Sequence, residues 1–124
     1  MFKVGQRVWV KSLKKFDVIK RVLGKRYELT DEALFVVSEA ELHETADDMF
    51  EKLGWIDKSY TTKGWYLIER DFGKFIDEIR IDILTSDYQK SRVFPVNKMM
   101  WSAKFTKEEH LAIHQKGIEL GWWE

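Results

Sequence analysis

Apolar and polar residues alternate along several short stretches of the chain, and this alternation predicts β-strands. The segment 2–10 alternates around Gly5, which indicates a half-buried strand with a bend or bulge at the glycine. Residues 18–23 and 26–29 flank Gly24-Lys25, a spacing typical of a β-hairpin. A further short strand is predicted at 34–37, and the first third of the chain is therefore expected to be mostly β.

End signals predict two α-helices. Thr45 with Asp48 three residues later resembles a capping box, and the helix that follows is expected to stop at Gly54. Thr106 with Glu109 repeats this start, and Gly121 ends the second helix. Both helices end in Leu-Gly-Trp, which predicts a glycine in the left-handed cap position and a tryptophan folded back on the last turn. A single helical turn is also expected at 38–42.

Four strands are predicted between the two helices, at 64–70, 75–84, 92–96 and 97–105. Pro95 predicts either an edge strand or a break between the last two, because proline cannot donate to a ladder. The order of helix, antiparallel strands and helix predicts an α+β fold, with a β-meander flanked by two helices.

Several residues of the first third resemble an SH3-like small β-barrel module. They are Phe2-x-Val4-Gly5-x-x-Val8-x-Val10, Tyr27-Glu28-Leu29 and Val37-x-Glu39-x-Glu41-Leu42. The expected organisation is an SH3-like barrel at 1–44 and an α-β meander-α module at 45–124. The tail from Phe105 to Trp122 is similar to the C-terminal ends of small uncharacterised phage and prophage proteins of Gram-positive bacteria, which implies a setting and no activity.

Composition indicates the cellular compartment and excludes some kinds of cofactor site. The chain has 124 residues, 15% aromatic, and no cysteine, so no disulfide or thiolate metal site can form. For a chain of this size the lack of cysteine favours a reducing compartment. Without a signal-like or membrane-spanning apolar run, we expect a soluble, cytoplasmic protein in the host cell, with no membrane partner. No cofactor is expected, since cysteine is absent and no phosphate-binding glycine loop is present.

Charge is segregated along the chain, although the net charge is zero. Residues 1–26 carry nine basic groups and one acid, and residues 27–53 carry nine acids and one base. Basic residues interleaved with aromatic rings suit a nucleic-acid groove. The acidic segment that follows could neutralise them across a sheet. Nucleic-acid binding through residues 11–27 is therefore the alternative to binding a protein.

The protein-binding interpretation depends on the tryptophans. Trp122 and Trp123 are adjacent, so both cannot face one core, and one of them is expected to be exposed or in an interface. A homodimer is a further alternative, formed by an exposed edge near Arg92–Val96 or by the tryptophan end. The candidate binding residues are Trp9, Lys11, Lys14, Lys15, Lys20, Arg21, Lys25, Arg26, Tyr27, Trp122 and Trp123.

The search for catalytic patterns predicts that the protein is not an enzyme. His110 and His114 lie at i and i+4 of a helix, as two zinc ligands do, but no third ligand is evident. Glu78 and Asp82 flank Arg80 on one strand face, which is typical of cross-strand ion pairs. The sequence contains neither a nucleophile elbow nor a phosphate-binding glycine loop. The prediction is a non-enzymatic binding or regulatory protein of a phage or prophage that engages a host or phage macromolecule, with a protein as the first choice.

Overall fold

The computed structural model describes residues 2–30, 36–59 and 64–122. The chain divides into two compact units, Met1–Ala46 and Asp47–Glu124, and each is described by itself. Among the described residues, no helix is both long and apolar enough to cross a membrane.

The first unit is a five-stranded antiparallel sheet in the order β4-β3-β2-β1-β5. A one-turn 3-10 helix at Glu39–Glu41 precedes the last strand, where a capping box joins Ser38 and Glu41. The strands are β1 (Arg7–Val10), β2 (Lys15–Leu23), β3 (Arg26–Leu29), β4 (Val36–Ser38) and β5 (Leu42–Glu44).

Local turn chemistry explains the hairpin between β2 and β3. Gly24 has a φ of +66°, in the region that only glycine occupies without strain, and Leu23 pairs with Arg26 across the turn. The predicted hairpin is confirmed. The alternating residues of the sheet then bury one apolar cluster on a single face of the unit. Its members are Val8, Val10, Ile19, Tyr27, Leu29, Val37 and Leu42.

The first unit does not form a closed barrel. Strands β4 and β5 lie at opposite ends of the sheet order, and in the described residues they are not paired with each other. Each has only three residues, which leaves few backbone groups to close a ring. The predicted mixed α+β class is confirmed, in a chain that is mostly β. The strand β5 was not predicted.

The second unit is also a five-stranded antiparallel sheet, in the order β10-β9-β8-β7-β6. Two helices belong to this part of the chain, α1 (Ala46–Lys52) before the sheet and α2 (Lys107–Glu119) after it. The strands are β6 (Ile56–Asp57), β7 (Trp65–Asp71), β8 (Ile76–Asp82), β9 (Tyr88–Phe94) and β10 (Met99–Ser102).

The two helices end as their sequences predict. The backbone N–H of Trp55 donates to the Phe50 carbonyl at 3.0 Å, and that of Trp122 donates to the Gly117 carbonyl at 2.9 Å. Both bonds close a Schellman-type turn around a glycine of positive φ, Gly54 or Gly121.

One face of the second sheet carries the core of its unit. Phe50, Ile68, Ile79, Ile81 and Ile113 are almost completely buried there, together with Trp55, Tyr66 and Ala112. Strand β9 begins earlier than predicted and ends before Pro95, which lies in the turn to β10. The break expected at the proline is therefore confirmed, and β10 rather than the Arg92–Val96 segment forms the edge.

Tyr66 connects this core to two charged groups. Its hydroxyl donates to Asp47 Oδ1 at 2.8 Å, and the Lys116 ammonium lies 3.9 Å from the centre of its ring. Burial, followed by the charge of Asp47, raises the pKa of Tyr66 far above its usual value of 10.0.

The raised pKa of Tyr66 predicts alkaline sensitivity. Above about pH 10 the unfolded chain loses the phenolic proton while the folded protein keeps it, so stability falls as pH rises. We expect the free energy of unfolding to fall by up to about 1.4 kcal/mol per pH unit from this group. Urea titrations between about pH 9 and 11 measure the slope. The Tyr66→Phe variant should lose this part of the slope, and an unchanged slope would contradict the assignment.

Candidate functional site

Four side chains form a line across the uncovered part of the second sheet. Arg70 pairs with Asp77 between β7 and β8, Asp77 pairs with Arg92 between β8 and β9, and Arg92 pairs with Trp101 between β9 and β10. Directly paired residues of neighbouring strands share a face. The line therefore lies on the face that also carries Ile68 and Ile79, at the border of the buried core.

On the core side of this line, Glu109 fixes the first turn of α2 to the sheet. The carboxylate is 1% exposed and accepts from the Lys90 ammonium at 2.8 Å, where the Lys90 side chain is 5% exposed. It also accepts from the Thr106 backbone N–H at 2.9 Å, and its second oxygen lies 3.7 Å from Arg70. Glu109 therefore caps its own helix and neutralises a buried lysine at the same time.

Asp77 holds Arg92 in the same line. Its carboxylate is buried and accepts two hydrogen bonds, from Arg92 Nε at 2.9 Å and Nη2 at 3.2 Å. These hydrogen bonds raise the pKa of Arg92 above its usual value. Asp77 lies near the start of β8, and its charge is satisfied by a bidentate pair with a residue fifteen positions away in the sequence.

Three rings lie beyond the line, and together with Trp101 of the line they form what we call the aromatic row. Phe72, Phe75, Phe94 and Trp101 follow one another with centroid distances of 4.9, 5.8 and 6.1 Å. The guanidinium of Arg92 lies 4.0 Å from the centre of the Phe75 ring. Phe72 and Trp101 are 49% and 58% exposed, so the row combines accessible rings with an arginine that Asp77 orients.

Strand β10 forms the edge beside this row. Met99, Met100 and Trp101 are 44%, 57% and 58% exposed, and the strand contains no charged residue or proline. Short length, charge and proline are the features that normally protect an edge from pairing with another chain. The other sheet ends, β4, β5 and β6, have three, three and two residues. The four-residue β10 is the longest edge that the described residues present.

The direction of the backbone at β10 follows from one hydrogen bond. The N–H of Ala103 donates to the Lys90 carbonyl at 2.9 Å, so it points toward β9. Successive residues of a strand point their backbone groups to opposite sides. The N–H and C=O of Met100 and Ser102 therefore point to the open side, where the sheet has no further strand.

The basic stretch predicted from the sequence lies in the first unit. Lys11, Lys14, Lys25 and Arg26 are exposed, and Lys15 is half-buried. The exposed Lys20 and Arg21 each lie 3.7 Å from Glu28 of the acidic segment. The neutralisation across strands that the sequence allowed therefore occurs in part.

The two rings proposed to accompany those cations are buried. Trp9 is 5% exposed and packs edge-on against Phe16, and Tyr27 is 3% exposed and belongs to the apolar cluster of the first unit. A base stacks only on an accessible ring face. Little ring surface is thus left beside the basic residues, and their binding role stays a prediction.

Of the two adjacent tryptophans predicted to form a binding end, only Trp122 lies within the described residues. Trp122 is half-buried and packs against the core of the second unit, which follows from its position at the end of α2. Trp123 lies outside the described residues, so the prediction that one of the two is exposed stays open.

His110 and His114 line one shallow groove on α2. The groove has a volume of about 650 Å³, and Tyr88, Lys107, Leu111 and Ile113 complete its wall. The His110 ring contacts Phe105 at 5.4 Å between centroids. Within the described residues, no three histidine or carboxylate side chains come together as a metal site would require. On the other face of β8, Arg80 donates to Glu78 at 2.9 Å, so this ion pair lies within one strand and not across strands as predicted.

Comparison of this chain with protein-family models, with curated proteins and with solved structures finds no match. Function is therefore inferred from the geometry of the chain itself.

The strand predicted at 97–105 contains β10, but the sequence analysis did not identify β10 or the aromatic row as a candidate site. The signal that could have marked the strand as a binding edge is local, because Met99-Met100-Trp101 is an apolar run directly after a proline-containing turn. The row itself depends on residues from four separate segments, which the sequence alone does not bring together.

Proposed function

We propose that this chain is a non-enzymatic binding protein that engages a partner protein through β10 and the aromatic row. The observation that carries the proposal is the exposure of Met99, Met100 and Trp101 on an unprotected edge strand. Tryptophan and arginine are the residues most enriched at binding hot spots, and methionine adapts to varied apolar surfaces. Trp101 and Arg92 stand directly opposite each other here.

A protein that binds to β10 and the aromatic row is a better-supported partner than a nucleic acid that binds to residues 11–27. The rings of Trp9 and Tyr27 are buried, whereas Phe72 and Trp101 are about half exposed. An extended apolar edge also offers unpaired backbone donors and acceptors, which a polypeptide can satisfy and a nucleic acid cannot match in register.

The proposal retains two expectations from the sequence, namely a host-cell setting and the resemblance of the first unit to SH3-like barrels. The strand order of that unit, with a 3-10 turn directly before β5, is compatible with the resemblance to SH3-like barrels. The similarity of the tail to small phage and prophage proteins of Gram-positive bacteria supports a setting inside a host cell and carries no activity.

The test is affinity capture with the wild-type chain and the Trp101→Ala variant. Tagged protein is incubated with lysate from the source cell, with and without nuclease treatment, and bound proteins are quantified by mass spectrometry. We expect a stoichiometric protein on the wild type and at least a tenfold loss on Trp101→Ala, because truncating a hot-spot tryptophan costs about 2–4 kcal/mol.

The matched control is Leu84→Ala, which removes an apolar side chain that is 87% exposed in the turn between β8 and β9. Capture by this variant should equal that of the wild type. If Trp101→Ala captures as much as the wild type, the proposed surface is wrong. If the captured material disappears with nuclease, a nucleic acid is the partner.

A further inference from the structure

The edge hairpin of the second sheet and the segment that leads from it into α2 have an unusual charge. Residues 88–107, from the start of β9 to the first residue of α2, contain five basic side chains and no acid. Two of the five are neutralised by residues elsewhere in the unit, Lys90 by Glu109 and Arg92 by Asp77. The other three, Lys98, Lys104 and Lys107, are exposed and form no ion pair with any described residue.

The uncompensated lysines flank β10. Lys98 directly precedes the strand, and Lys104 follows it by two residues. A stretch of six residues in extended conformation spans about 20 Å, so the two ammonium groups bracket the open edge at its two ends. Such a positive field attracts a negatively charged partner and repels a positive one.

We propose that β10 takes up an extended, acidic segment of the partner protein as a sixth strand of the second sheet. This inference rests on the proposed function and names the chemistry of the partner. The outward N–H and C=O groups of Met100 and Ser102 bond to the backbone of the incoming segment. Its apolar side chains contact Met99 and Trp101 on one face and Met100 on the other, and its acidic residues at either end meet Lys98 and Lys104.

Charge argues against a second copy of this chain in that position. Two β10 edges placed side by side would bring together two sets of uncompensated lysines, which repel each other. Nucleic acid shares the negative charge of the proposed segment, but it has no alternating N–H and C=O groups to pair with Met100 and Ser102. An acidic polypeptide satisfies both the charge and the backbone.

The test uses two blocked peptides, Glu-Glu-Val-Thr-Val-Glu-Glu and its counterpart with lysine in place of each glutamate. Binding to the ¹⁵N-labelled full chain is followed by amide chemical shifts. The acidic peptide is expected to bind and to shift the amides of Met100 and Ser102 most. The basic peptide is expected to bind at least about tenfold more weakly, with the difference shrinking at about 0.5 M salt.

Two variants separate the backbone contribution from the charge. Met100→Pro removes an outward N–H of the edge strand together with the methionine side chain, and it should weaken binding of the acidic peptide about tenfold more than Met100→Ala does. Met100→Ala removes the side chain but keeps the donor, and it is therefore the control. The paired change Lys98→Glu with Lys104→Glu should reverse the preference between the two peptides.

The outcomes discriminate among the possible occupants. Equal binding of both peptides, or full affinity in Met100→Pro, overturns the proposal. Shifts at β10 with a twelve-residue oligothymidine but not with the acidic peptide assign the edge to nucleic acid. A dimer in sedimentation that is lost in Met100→Pro assigns it to a second copy. If lysate capture depends on Trp101 but not on Lys98 and Lys104, the acidic segment is wrong and the proposed function stands.

Discussion

Replacing Glu109 by alanine is expected to lower the free energy of unfolding by about 3–5 kcal/mol. The substitution leaves the Lys90 ammonium buried without its carboxylate, at a site where that side chain is 5% exposed. It also removes the acceptor for the Thr106 N–H, so the first turn of α2 loses half of its capping box. Urea unfolding followed by tryptophan fluorescence measures the loss, since five of the six tryptophans lie in residues 47–124.

Glu108→Ala is the matched control, because Glu108 lies in the same helical turn and is exposed. Its loss should stay below about 1 kcal/mol, which is the range of a helix-dipole contact. The paired substitution Lys90→Met with Glu109→Leu should recover most of the stability, since a buried pair can often be replaced by apolar side chains of similar size. A small effect of Glu109→Ala would show that water reaches Lys90.

The position of the Glu109 contacts explains why part of the sheet stays uncovered. The helix α2 begins at Lys107, and its first turn is fixed by Glu109 to Lys90 on β9 and to Arg70 on β7. The isoleucines and Tyr66 on one side of this contact belong to the core that includes Ala112 and Ile113. The three phenylalanines of the aromatic row lie on the other side of the line through Arg70 and Arg92. An ion pair inside the fold thus sets the boundary of the exposed surface.

The parts of the fold that sequence predicted are those with local causes. Gly24-Lys25 set the first hairpin, Thr106 with Glu109 started α2, and Gly54 and Gly121 ended the helices, each through contacts a few residues apart. The strands β5 and β6 were missed because they have three and two residues, too few for a period to emerge.

The candidate site could not be predicted because its contacts join distant residues. Lys90 and Glu109 are nineteen positions apart, and Asp77 and Arg92 are fifteen apart. Alternation places Asp77 on the same strand face as Ile79 and Ile81, but it does not supply the partner that lets an aspartate be buried, and such residues are normally exposed unless they are paired. In the same way, the tryptophans predicted as binding residues were Trp9, Trp122 and Trp123, whereas the tryptophan on the edge strand β10 is Trp101. Trp9 is in the interior, whereas Trp101 is 58% exposed.

Replacing Phe50 by alanine is expected to lower the free energy of unfolding by about 3–5 kcal/mol, the second large effect. Phe50 is 1% exposed and contacts Tyr66 at 6.0 Å between ring centroids. The helix α1 that carries it has only seven residues, far fewer than an isolated helix needs to be stable in water. The helix α1 is therefore stabilised by its packing against the core and not by intrinsic helix propensity. The Phe50 ring makes the largest contribution to that packing. Urea unfolding again measures the change.

Glu51→Ala is the control, since the neighbouring side chain is exposed on the same helix and should change stability by less than about 0.5 kcal/mol. An equal loss of stability in Phe50→Ala and Glu51→Ala would mean that exposed side chains, and not the buried ring, stabilise α1. Comparing Phe50→Ala with Trp101→Ala then distinguishes an effect on stability from an effect on partner binding. Phe50→Ala should lower stability and, at temperatures where the protein stays folded, retain partner capture. Trp101→Ala should do the reverse, because its ring touches the row and not the core. If both variants lose capture in proportion to their stability, β10 has no binding role of its own.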